Sequence, residues 1–396
     1  MKRALLICII ALAAAAGAVY AQDAQKVLET FRRNFAIASL DVKIQILQDA
    51  AAGKTASSMG PLFQQAVDFV IDNGSLVPTD ARFNQLAAIG AEQAGVVGFT
   101  AARFSVWKLF QVTPDSQTLS KAAFALGTLG AGDQEIIAGL NHWLDAQNSV
   151  FATGKMPDAT VLVAVIQALG KLADPSSFPI LFTATNLGYS DQISAIAKTA
   201  LLSLKGDFGA MLLGVIKERP LGEKRLALQM SMETDKLTSD QKSQVAEYGL
   251  DVGLHLSSTD TPSKNILRDI RFTAADSLGA QKYAHATPLL IEHLDTTIGE
   301  FDKGLVDRNH LLNSLSDLGA MGTHEAAVRL TQYLVLINSF TDKGKAYDDL
   351  VVLAVLQSLG GLADKVAFDD LMYTQYLNYS AQVKKAARAA LGKLKW

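Results

Sequence analysis

Few residues are placed to do chemistry, and their spacing argues against a reaction centre. His285 and His293 stand eight positions apart, about two helical turns, so two imidazoles on one helix face could share a metal ion. No third ligand adjoins them, and both read as solvated histidines. His324-Glu325 opens like a zinc-protease helix, but Val328 occupies the place of the second histidine. Gly53-Lys54-Thr55 ends like a phosphate-binding loop, yet Gln48 stands where that loop needs its first glycine. The glycines of Gly127-Thr128-Leu129-Gly130-Ala131-Gly132 come in the wrong order for a dinucleotide turn. The pairs Asp348-Asp349 and Asp369-Asp370 fall at or near helix starts, where the backbone dipole favours acids. The one cysteine, Cys8, lies in the first apolar run, so the rest of the chain has no thiol nucleophile or thiolate ligand. No catalytic set emerges, and neither cofactor nor metal is expected.

Contact chemistry is better represented. Asn141, His142, Trp143 and Asp145 share one helix, and a shift of 190 residues brings Tyr333 to the place of Trp143. Tyr373 and Tyr376 lie on another such helix. Trp and Tyr are favoured contact anchors, so these residues predict a concave aromatic strip; the plainer reading is inter-repeat packing. An alternative edge is formed by Phe151 and Lys155, by Phe340 and Lys343, and by Phe301-Asp302-Lys303-Gly304, each at the tip of a connecting loop. The last helix carries Lys384, Lys385, Arg388, Lys393 and Lys395, with no acid after Asp370. It reads as the solvated face of a terminal helix, or as a contact for an anionic surface.

Composition sets the frame. The chain is 49% apolar and 19% charged, too apolar for a disordered chain. A net charge of −3 leaves no broad nucleic-acid surface. Lys2 and Arg3 precede a run of apolar or small residues from Ala4 to Gly17, and Val19-Tyr20-Ala21 ends on a small residue before Gln22-Asp23. That is the layout of a secretory signal over residues 1–21, cleaved after Ala21. Its removal takes the net charge from −3 to −5. An exported chain without disulfides, held by its own core, suits the periplasm first and full secretion second. No other stretch is long and apolar enough to span a bilayer.

Leu-Gly or Ile-Gly pairs recur with glycines at 90, 130 and 170, then at 279, 319 and 360. Each closes a helical stretch such as Val163-Ala164-Val165-Ile166 and is read as a helix C-cap. A period near 40 residues with two helices per unit predicts an all-α fold of the α-solenoid type. A larger repeat overlies it. Shifted by 190 residues, 161–206 matches 351–396 without a gap at 20 of 46 positions. The chain is therefore read as two tandem homologous halves, 22–206 and 207–396, with 207–270 divergent. Asp174 and Asp364 follow the Leu-Gly ends as N-caps, and Ser190 and Ser380 open the next helices.

In the Leu-Gly ends, in Asp133, Asp174 and Asp364 after the turn, and in Lys385-Ala386-Ala387-Arg388-Ala389-Ala390-Leu391-Gly392, the chain resembles the HEAT-repeat family, including its short bacterial type. The likeness covers most of 80–206 and 265–396; Lys198 stands where the second half has Arg388. It implies a scaffold that presents a curved surface to protein partners. The expectation is an exported, non-enzymatic binding protein for an envelope protein or peptide, with no nucleic acid and an open oligomeric state. Two alternatives stand beside it. One is an enzyme or lyase-like accessory with its site in 207–270; the other is a glycan or peptidoglycan binder using the aromatic strip.

Overall fold

The computed structural model describes residues 23–395; the leader, Cys8 and the cleavage site after Ala21 lie outside them. The protein is all-α, and the described residues contain no strand. They divide into two units, one ending at Gly206 and the other beginning at Asp207.

Among the described residues the first unit has ten helices: α1 (23–37), α2 (Leu40–Ala52), α3 (Gly60–Asp72), α4 (Ala81–Val96), α5 (Arg103–Val112), α6 (Ser116–Leu129), α7 (Gln134–Ala152), α8 (Ala159–Leu172), α9 (Phe178–Asn186) and α10 (Asp191–Ser203). The second also has ten: α11 (Phe208–Glu218), α12 (Leu221–Glu233), α13 (Ser239–His255), α14 (Thr261–Gln281), α15 (Thr287–Asp302), α16 (Arg308–Gly319), α17 (His324–Asp342), α18 (Asp349–Leu362), α19 (Phe368–Thr374) and α20 (Ala381–Leu391). Within each unit the even-numbered helices pack each on the next, from α2 to α10 and from α12 to α20. The odd-numbered helices form a second row, more sparsely connected, and each touches its even partner. Leucine, valine and alanine fill the space between the rows, as with Leu126, Leu140, Val165 and Leu181 in the first unit and Leu315, Leu330 and Leu356 in the second. No single helix among the described residues is long and apolar enough to cross a membrane.

The Leu-Gly glycines correct their sequence reading. Only Gly130 is a C-cap. Gly90, Gly170, Gly279 and Gly360 lie inside their helices, and Gly319 is the last residue of its own. Their reason is close approach. A Cβ on Gly170 would sit 2.7–2.8 Å from Ala200 of α10, so a side chain there would drive α8 and α10 apart. The helix ends are made one turn later, where Ala173, Lys282 and Ala363 take left-handed conformations with φ of 54°, 52° and 56°.

Caps follow the sequence. Asp174 accepts from Ser176 N and Asp364 from Val366 N, both at 2.9 Å. Ser190 and Ser380 accept from Ile193 N and Val383 N. In each unit the chain after the last helix returns to the same turn: Lys205 N donates to Ala173 O at 3.1 Å, and Lys395 N to Ala363 O at 2.9 Å.

Candidate functional site

The expected aromatic strip on the odd row is not one surface. Tyr333 is 1% exposed, and its hydroxyl lies 2.8 Å from that of Tyr347. It is a core residue with a satisfied hydroxyl, which corrects its reading as a contact anchor. Trp143 is half-buried, edge-on to Phe110 at 6.1 Å, and Phe110 stacks on the buried Trp107. His142 and Asp145 are exposed and Asn141 is half-buried, its amide 3.5 Å from Ser176 Oγ. Tyr373, in α19, and Tyr376, in the turn after that helix ends at Thr374, are exposed in the second unit, which corrects their reading as neighbours on one helix.

The loop edge is also rearranged. Phe151 and Phe340 belong to the last turns of α7 and α17 rather than to loops. Both are half-buried: Phe151 packs on Tyr189 with ring centres 4.2 Å apart, and Phe340 stacks on Tyr347 at 6.1 Å. Lys155 and Lys343 are exposed. Burial against the neighbouring turn removes the two aromatics from any continuous tip.

His285 and His293 do not share a ligand. His285 is exposed beside Glu247, whereas His293 is fully buried. No group of three or more metal-ligating side chains occurs among the described residues. His293 does meet a serine: its Nε2 lies 2.7 Å from Ser314 Oγ. Its Nδ1 faces Arg271 Nη1 at 3.3 Å, and a guanidinium only donates. The imidazole proton therefore sits on Nε2 and is donated to Ser314, so this ring cannot take the serine's proton as a general base. Burial, with the Arg271 charge, holds the His293 pKa down to about 3. Arg271 also bonds Thr297 Oγ1 at 3.0 Å and pairs with Glu300. The cluster ties α14, α15 and α16 together.

The features that recur at equivalent surface positions lie on the even row. In the first unit a groove of about 520 Å³ runs between α8 and α10, lined by Gln167, Gly170, Gln192, Ile196, Thr199 and Ser203 among others. In the second unit a groove of about 300 Å³ runs between α18 and α20, and its lining includes Gln357, Gly360, Gln382, Ala386, Ala389 and Lys393. Shifted by 190, every lining position of the first falls on a lining position of the second. Gln167, Gln357, Gln192 and Gln382 are all exposed. Two positions change charge: Ala195 and Ser203 become Lys385 and Lys393. A third groove continues along α16 and α18 past Ser316, Gly319 and Gln357. No carboxylate lines any of the three.

One acidic pair lies further along the same row. Asp317 of α16 packs against Gly279 of α14 and bonds Asp276. Burial and the Asp276 carboxyl push the Asp317 pKa up to about 8. The pair therefore shares a proton at neutral pH. Sequence reasoning passed over both the grooves and this pair. The signal for the grooves was present, since Gln167/Gln357 and Gln192/Gln382 are among the 190-residue identities.

In comparisons with known proteins, no family model and no curated protein matches the chain.

Proposed function

We propose that the chain is an exported, non-enzymatic scaffold of a bacterial envelope, an α-solenoid of two tandem HEAT-like halves that holds an envelope protein or extended peptide in grooves of its even-numbered helices. The observation that carries this reading is the recurrence of the same groove, with the same two exposed glutamines, between α8 and α10 and between α18 and α20. Folding accounts for repeated leucines and caps. It does not account for a repeated pair of exposed glutamines, whereas a glutamine amide can both donate to and accept from an extended peptide backbone.

The row packing supports the choice of face. Glycine and alanine bring the even helices close, as Gly170 meets Ala200 and Gly127 meets Ala168. Aromatic rings hold the odd helices further apart, as with Phe110 and Trp143. A two-row stack bends toward its closer-packed row, which favours the groove row over the Trp143 row as the inner face of each half in this reading. Export rests on the leader pattern of residues 1–21.

The test is a cross-linked pull-down of the full chain, expressed with its leader in the envelope of a two-membrane bacterium. Recovery of one protein in fixed stoichiometry supports the scaffold. Turnover of a small substrate that is lost on changing residues in 207–270 would replace it with an enzyme.

A further inference from the structure

The two grooves share a frame but differ in charge, and the difference points to a ligand. We infer that the α18/α20 groove binds an extended acidic peptide segment of a partner protein, with Gln357 and Gln382 on its backbone and Lys385 and Lys393 on its carboxylates. This deepens the scaffold reading and rests on it.

Charge is the first argument. Lys384, Lys385, Arg388, Lys393 and Lys395 have no ion-pair partner among the described residues. The groove lining holds Lys385 and Lys393 and no acid, so the lining itself is net positive. At the same positions the first unit has Ala195 and Ser203, so the lysines are not needed to build the groove.

Spacing is the second. Lys385 lies in α20 and Lys393 two residues past its last residue, Leu391, so the two ammonium groups stand at separate points of the groove lining. An extended strand advances about 13 Å over four residues, with side chains i and i+4 on one face. Acids on one face of such a strand can meet both ammonium groups while its backbone amides reach Gln357 and Gln382 in the same lining.

Shape decides against a lipid surface. The groove is recessed, with Gly360, Ala386, Ala389 and Ala390 in its lining, and no large apolar side chain of α20 stands exposed to enter a bilayer. The lining also holds no aromatic ring on which bases could stack.

The test uses the full chain and a dye-labelled twelve-residue peptide alternating Glu and Ser, followed by anisotropy. The wild type should bind it, more weakly as salt rises. K385A/K393S, which installs the first unit's residues, should weaken binding tenfold or more. A195K/S203K should add a second site and raise the stoichiometry from one to two. Both pairs are exposed, and circular dichroism checks that the variants stay folded. Wild-type affinity in K385A/K393S would overturn the inference. So would tighter binding of single-stranded DNA of equal charge, or of anionic phosphatidylglycerol vesicles, through the same lysines. If the wild type ignores the peptide while cross-linkers at Gln167 and Gln192 still capture an envelope protein, this inference falls and the scaffold stands. Capture from neither groove brings down the scaffold reading itself.

Discussion

The Tyr189 hydroxyl donates to Asn148 Oδ1 at 2.9 Å inside the first unit, and 190 residues later Tyr379 donates to Asn338 Oδ1 at 3.1 Å. The amides continue alike: Asn148 donates to Ile180 O and Asn338 to Asp370 O, both at 3.3 Å. Each asparagine is nearly fully buried. A second pair is as specific. Lys43 is buried with its ammonium on carbonyls at the end of α1, that of Phe35 and, at 2.8 Å, that of Ala38 just past the helix. Lys224 does the same for α11, on Ile216 and, at 2.9 Å, Lys217. A cation on the free carbonyls of a helix end satisfies acceptors that the helix leaves open.

Removing the Tyr189 hydroxyl should leave Asn148 Oδ1 without that donor, whereas Asn338 Oδ1 keeps Thr374 Oγ1 at 3.3 Å when Tyr379 loses its own. Tyr189→Phe should destabilise the protein by about 1–3 kcal/mol, and Tyr379→Phe by less. Urea unfolding with tyrosine-independent detection measures this. A loss under about 0.5 kcal/mol would mean that the hydroxyl is dispensable.

Tyr333→Ala should act on folding before it acts on any partner. Truncating a buried aromatic costs about 3–5 kcal/mol, whereas Tyr376→Ala, at a side chain 78% exposed, should change stability by under about 0.5 kcal/mol. Thermal unfolding of the two variants side by side checks the contrast.

Glycines divide by what a side chain would meet. Gly170→Ala places a methyl against Ala200 and should cost about 1–3 kcal/mol. Gly214 sits inside α11 with open space around it, so Gly214→Ala should stabilise by about 0.5–1 kcal/mol. Equal effects would refute close packing of α8 on α10.

The acidic pair gives a signed pH dependence. Asp317 has its folded pKa raised from 3.8 to about 8, so the folded state holds its proton more tightly than the unfolded chain. Its contribution is complete below about pH 3.8 and is lost as pH rises through about 8. Asp317→Asn keeps the site neutral, and its melting temperature relative to wild type should climb between pH 4 and pH 8. A difference that stays flat across that range would contradict the shared proton.

The sequence carried what depends on local chemistry. A period near 40 residues, the caps at Asp174 and Ser190, and the 190-residue match between 161–206 and 351–396 are all visible in one dimension. Packing between rows was not. Tyr333 looked like an exposed counterpart of Trp143 because its partner Tyr347 lies beyond a turn. Lys43 and Lys224 escaped because they align at a shift of 181, amid neighbours as unlike as Phe35 and Ile216. Gln167 and Gln192 are identical to Gln357 and Gln382 at the 190 shift, but an identity does not say which row its side chain faces.

Site-specific photo-cross-linking of the full chain in the envelope tests the central claim most directly. One variant at a time would carry the cross-linker at Gln192, Gln357 or Gln382 on the groove row, or at His142 or Asp145 on the odd row or Tyr376 in the turn that follows α19. The account predicts a single partner adduct from the groove positions and none from the other positions. Adducts confined to His142, Asp145 and Tyr376 would contradict it and return the binding face to the aromatic side.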